Sequence, residues 1–171
     1  MVQQREPVVE PDPRFQGSKT RQGFWGLPHT KWLPDGRHMQ LLEPFRYTCA
    51  AMRVHTARAS LITDGISTPR PTWGGYLGGP PFVGMTRFIA LIHDQIRADA
   101  RSQADDAIEV RDWAMLEQAK KLQDYSDDIF REGMAWSGVN TVRRNVRYYA
   151  VRAHAYWWAC KWNREMMTAM E

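Results

Sequence analysis

The chain is poor in cysteine: Cys49 and Cys160 are the only two among 171 residues. Two lone cysteines support neither a disulfide framework nor a zinc site. Apolar runs are short, and none approaches the ~18 residues that cross a bilayer, so no membrane span is expected. The start, Met1-Val2-Gln3-Gln4-Arg5-Glu6, has no apolar stretch. No secretory signal is therefore expected, and synthesis in the cytoplasm is. No run of five or six basic residues occurs, and the formal net charge is only +4. A polybasic tail for nucleic acid is thereby excluded. Internal repeats and low-complexity tracts are also missing, which excludes solenoids and biased linkers.

What is present suits a globular chain: 43% hydrophobic and 25% charged residues in a length typical of one domain. Eight tryptophans are many for this length. Trp joins a large apolar area to one N–H donor, so the excess points to contact surfaces as well as core.

The organisation changes along the chain. Residues 1–38 hold Pro7, Pro11, Pro13, Pro28 and Pro34 and scattered aromatics. They are expected to form an extended N-terminal arm with little regular structure, held by contacts outside its own core. Residues 39–171 then form a single α+β domain. A small antiparallel sheet over about 39–64 is expected from Phe45–Thr48, Met52–His55 and Ala59–Thr63. A turn-rich stretch follows, including Asp64-Gly65, Gly74-Gly75, Gly78-Gly79 and Pro80-Pro81.

Three helices are expected after it. The first runs over about 84–102 and the second over about 105–136, ended by Gly138. The third starts near Asn140 and carries Val142, Val146, Tyr149, Ala153, Tyr156 and Cys160 at steps of three and four.

The densest chemistry is His93-Asp94, on a helix that follows the glycine-rich stretch. Neighbours on a helix project about 100° apart, so the two are not expected to bond each other. A His can instead serve as general base on water while an Asp holds a metal beside it. A hard cation such as Ca²⁺ takes carboxylate and carbonyl oxygens, and Tyr76-Leu77-Gly78-Gly79-Pro80 could offer carbonyls. Asp127 is a candidate to orient the imidazole. The bland alternative is a hydrogen-bonded helix residue beside a solvated one. Asp64-Gly65-Ile66-Ser67-Thr68-Pro69-Arg70 reads as a turn, or as a brace for His93 through Asp64 and Ser67. Arg143, Arg144, Arg147 and Arg152 lie near Tyr148, Tyr149, Trp157 and Trp158. No nucleic-acid motif accompanies them, so a protein interface or a solvated face is favoured over nucleic acid.

These motifs fall in a recognisable order: Thr63-Asp64-Gly65-Ile66-Ser67-Thr68-Pro69-Arg70, then Ala90-Leu91-Ile92-His93-Asp94, then Asp127-Asp128-Ile129-Phe130, then Tyr148-Tyr149-Ala150-Val151-Arg152. The order resembles the bacteriophage and prophage family known as domain of unknown function 1353, over roughly residues 40–155. A more distant likeness is to phospholipases of the A-two type. That likeness implies a calcium loop at Gly78 and Gly79, a metal ligand at Asp94, a catalytic base at His93 and an orienting residue at Asp127. Arg97 departs from it, standing where a tyrosine is expected, and Pro80 and Pro81 replace small loop residues.

The resemblance implies a virion-associated structural protein, a tail, neck or baseplate component built on a hydrolase-like scaffold. It would need no cofactor. Its partners would be other virion proteins in a homo- or hetero-oligomeric assembly, and its place the virion, after synthesis in the host cytoplasm. The alternative is a calcium-dependent phospholipase-like hydrolase that aids envelope penetration.

Overall fold

A computed structural model of the chain describes residues 12–35, 38–63 and 86–171. It is an α+β fold: two small antiparallel sheets followed by three helices. A 3₁₀ turn, Pro13–Phe15, leads into β1 (Gln16–Ser18), β2 (Arg21–Trp25) and β3 (Thr30–Trp32). Then come β4 (Met39–Leu41), β5 (Phe45–Thr48), β6 (Val54–Ala57) and β7 (Ile62–Thr63). The helices are α1 (Thr86–Glu109), α2 (Trp113–Trp136) and α3 (Thr141–Met170).

One sheet has the order β1-β2-β5-β6 and the other β3-β4-β7. β5 sits where expected because Phe45-Arg46-Tyr47 alternates, and Phe45 and Tyr47 are buried while Arg46 is exposed.

The expected arm needs correction over its described part. β2 is an inner strand, with Gly23 opposite Thr48 and Phe24 opposite Tyr47, and β3 pairs with β4 from Thr30↔Leu41 to Trp32↔Met39. The boundary at residue 38 therefore falls inside a hairpin. Glycine makes the entry possible: a Cβ on Gly17 would lie 2.2 Å from the Gly23 carbonyl oxygen, and Gly23 itself has φ +140°, a region that side chains disfavour. Of the scattered aromatics, Phe15 and Phe24 anchor in the core, whereas Trp32 is exposed. Phe24 is fully buried and meets Phe15, Phe45, Tyr47 and Phe88 at ring-centroid distances of 5.0–6.0 Å.

The first two helices divide later than the sequence implies. α1 continues to Glu109, so Ile108 belongs to it. Arg111 at φ 59° makes the turn. Asp112 then starts α2 by accepting from the backbone N–H of Ala114 (2.8 Å) and Met115 (3.1 Å), an N-cap. Gly138, at φ 78°, follows the end of α2 as expected. Asn140 caps α3 through the Arg143 N–H at 2.9 Å.

α1 buries Phe88, Ile89, Ile92 and Ile96 against the larger sheet and α2. A second cluster, Ala104, Ala107, Leu116, Ala119, Trp162 and Met166, joins all three helices at the far end.

α3 departs from its own sequence pattern. Its buried residues are Arg147, Val151, Ala155, Trp162 and Met166. Tyr149 and Tyr156, members of the apolar series at three- and four-residue steps, are 66% and 74% exposed. At 100° per residue the two sets lie on opposite sides of the helix, and the more apolar series faces solvent. No described helix is long and apolar enough to cross a membrane.

Candidate functional site

His93 sits in the first third of α1, one turn after Ile89 on its buried face. That face packs on α2, where Asp127 is fully buried. The structure brings the two together, with His93 Nε2 3.0 Å from Asp127 Oδ1. Phe130, one turn after Asp127, lies against the imidazole with centroids 4.8 Å apart. On the α2 side the ring is thus held by a carboxylate and an aromatic face.

The expectation that His93 and Asp94 do not bond each other is corrected: His93 Nδ1 lies 3.1 Å from Asp94 Oδ1. Nδ1 is the ring nitrogen next to the Cβ, so a short neighbouring carboxylate reaches it despite the 100° between side-chain directions. Thr63, at the end of β7, donates its hydroxyl to Asp94 Oδ2 and holds the carboxylate on that side. Both imidazole nitrogens face carboxylates, which only accept. A neutral ring can satisfy one of them, and an imidazolium both.

Arg97, one turn after His93, completes the cluster. Its Nη2 donates to Asp127 Oδ1 at 2.9 Å and to the Val151 carbonyl of α3 at 2.7 Å. Its Nη1 lies 3.0 Å from His154 Nδ1. Burial pushes the Arg97 guanidinium down, and Asp127 opposes this by stabilising its charge. His154 is lowered by burial first and then by Arg97 and Arg101. Its other nitrogen, Nε2, receives the Trp158 indole N–H at 3.2 Å. A neutral imidazole has one acceptor nitrogen, so Arg97 and Trp158 compete for it. Asp127 Oδ2 and Arg97 Nε are buried with no hydrogen-bond partner in the structure.

Asp94, the expected metal ligand, has one oxygen against His93 and the other against Thr63. No group of three His, Cys, Asp or Glu residues among the described ones is arranged for a metal ion. Gly78 and Gly79 lie outside the described residues, as do Asp64 and Ser67.

Two participants had a readable signal. Arg97 stands at i+4 from His93, hence on its face of the helix. Thr63 opens the first motif. His154 had none, because only the approach of α3 brings it in. Of the basic and aromatic group on α3, Arg147 is buried and donates to Thr86 Oγ1 at 2.7 Å. Arg152 pairs with Asp124 at 2.6 Å, while Tyr149 and Trp157 are exposed.

A family model described as protein of unknown function (DUF1353) matches residues 39–151. No curated protein and no solved structure matches the chain. The matched span begins at β4 and ends within α3. It holds His93, Asp94, Arg97 and Asp127, and leaves out β1 to β3 and the last nineteen residues of α3.

Proposed function

Taking as premise that the chain belongs to the DUF1353 family, we propose that it is a structural component of a phage virion, in the tail, neck or baseplate. In this reading the His93 cluster is a clamp and not a reaction centre. One observation carries it: His93, Asp127 and Arg97 bond chiefly within the protein and scarcely reach solvent, with side-chain exposures of 6%, 0% and 8%, and only Asp127 Oδ2 and Arg97 Nε are left without a partner. A general base must meet the proton it removes. Here one imidazole nitrogen meets Asp127 and the other Asp94. The arrangement ties β7, α1, α2 and α3 together through side chains whose separation would leave buried charges unpaired. Such a unit, with apolar side chains on its outer face, suits packing between other virion proteins. The test is to tag the chain and image purified particles. Label at the tail, neck or baseplate is the expected result, and particles free of the chain would overturn the reading.

A second reading, a phospholipase-like hydrolase, is favoured by the 3.0 Å approach of Asp127 to His93 Nε2, the contact that the phospholipase likeness implies. It requires Asp94 to leave His93 Nδ1, so that this nitrogen can take a proton from water. Turnover of phospholipid or ester substrates that is lost in His93→Asn would place this reading first.

A further inference from the structure

The outward face of α3 has a regularity that the fold does not use. From Val142 the apolar side chains recur at alternating steps of four and three, and the series continues beyond Cys160 through Asn163, Met167 and Met170. This is the spacing of a coiled-coil seam sustained over four heptads. Asn163 is its one polar member, and its carbonyl oxygen accepts from Lys120. The helix is held to its own domain by the opposite face; at the end of the seam Met170 Sδ also accepts from the Trp113 indole at 3.0 Å, but most of the seam faces water: Val142 is 67% exposed, and Met167 and Met170 are each 53% exposed.

We propose that α3 pairs with α3 of a second copy of this chain, the two helices running antiparallel. The seam's bulk pattern selects both the occupant and the direction. One set of seam positions holds the smaller residues Val146, Ala153 and Cys160 and ends on Met167, and the other holds Tyr149 and Tyr156 at its centre, between Val142 on one side and Asn163 and Met170 on the other. In an antiparallel pair each position of one set faces the other set. Ala153 then packs against Tyr156 of the second copy, and Cys160 against its Tyr149. A parallel pair would stack tyrosine on tyrosine and leave a void between alanines, a costly mixture of overpacking and cavity.

The available area fits as well. Tyr149, Tyr156 and Trp157 carry ~150–250 Å² each, so their exposures leave roughly 300–500 Å² of ring surface in water. With Val142, Met167, Met170 and the rims, this reaches the order of the ~800 Å² per partner of a standard interface.

The rim charges add a signature. No Asp or Glu occurs from Thr141 to Arg164, and the antiparallel register brings Arg143 near Arg164 of the second copy. Like charges at an exposed rim repel, and salt screens them. Pairing of two copies therefore tightens as salt rises, whereas binding of this basic face to nucleic acid or an anionic membrane weakens. The inference does not rest on the virion reading, since an enzyme could pair in the same way.

The test is sedimentation equilibrium of the full chain over a concentration series at low and high salt. A dimer is expected, tighter at high salt. Tyr156→Glu should weaken it by about a hundredfold or more, because a carboxylate would be buried in an apolar seam. Tyr156 makes no core contact, so the variant keeps the parent circular dichroism; Tyr149→Glu is the second seam variant. In a Cys160→Ser background, Met167→Cys should crosslink when mixed with Val142→Cys and not by itself. A monomer at about 0.1 mM, a dimer indifferent to both glutamates, or crosslinking of Met167→Cys with itself would overturn the proposal. So would a monomer that captures single-stranded DNA or anionic vesicles through this face.

Discussion

α1 and α3 carry similar apolar series and use them in opposite ways. In α1 the residues at helical spacing, Phe88, Ile89, Ile92 and Ile96, are the ones buried. In α3 the series that includes Tyr149 and Tyr156 is exposed, and the face that packs mixes an arginine with Val151, Ala155, Trp162 and Met166. Periodicity therefore announces that a helix has an apolar side, but it does not say whether the partner lies in the same chain. α1 is flanked by sheet and by α2, so its stripe is claimed. α3 packs on α1 and α2 by one face, and polar groups take part in its docking: the Val151 carbonyl accepts from Arg97, and the Ala155 carbonyl accepts from Gln123 at 2.8 Å.

The largest effect should come from the polar dock. Asp127→Ala leaves His93 and Arg97 buried without their shared acceptor, and should cost about 3–5 kcal/mol in chemical denaturation. A loss below about 1 kcal/mol would mean that α3 is held mainly by apolar contacts, as α1 is. Next comes the paired test of the two stripes. Ile92→Ala should cost about 2–5 kcal/mol. Tyr156→Ala should stay within about 0.5 kcal/mol when measured well below the concentration at which copies associate. Equal losses would erase the distinction between the helices.

A smaller effect concerns pH. His154, on α3, is held below the ordinary imidazole value of 6.5 by burial, Arg97 and Arg101. His55, on β6, is lowered by burial and receives the Tyr125 hydroxyl at 3.1 Å. The unfolded chain binds these protons first as pH falls. Their contribution is thus complete above pH 6.5 and lost progressively below it. Melting temperature should fall between pH 7 and 5, less steeply in His154→Gln; an unchanged slope in that variant would remove α3 from the account. The smallest effect is that of calcium. Millimolar Ca²⁺ should leave the melting temperature unmoved, since Asp94 is engaged by His93 and Thr63. A concentration-dependent rise that vanishes in Asp94→Asn would favour the hydrolase reading.

The helices and the core strand β5 were legible in the sequence because their periods are local properties. The early strands were not. Prolines and an inner-strand glycine obscured β1 to β3, which become strands by pairing: β1 with β2, β2 with the later β5, and β3 with β4. The break between α1 and α2 was also hidden, since no Gly or Pro marks it: Arg111 makes the turn at positive φ and Asp112 caps the next helix. At the site, His93 and Asp127 could be named because motif order placed them. The bond between His93 and Asp94, and the part played by His154, depend on side-chain reach and helix approach, which no spacing encodes.

The ring cluster around Phe24 bears on how the molecule comes into being. Phe24 and Phe88 touch at a centroid distance of 6.0 Å although 64 positions separate them along the chain. Closing such a loop costs entropy before any contact repays it, and folding slows as contacts lie further apart in sequence. On the ribosome, β2 is made early yet cannot be sealed into its core until α1 has emerged. Through that interval its aromatics stay open to other chains, so yield should depend on how quickly synthesis passes residue 88.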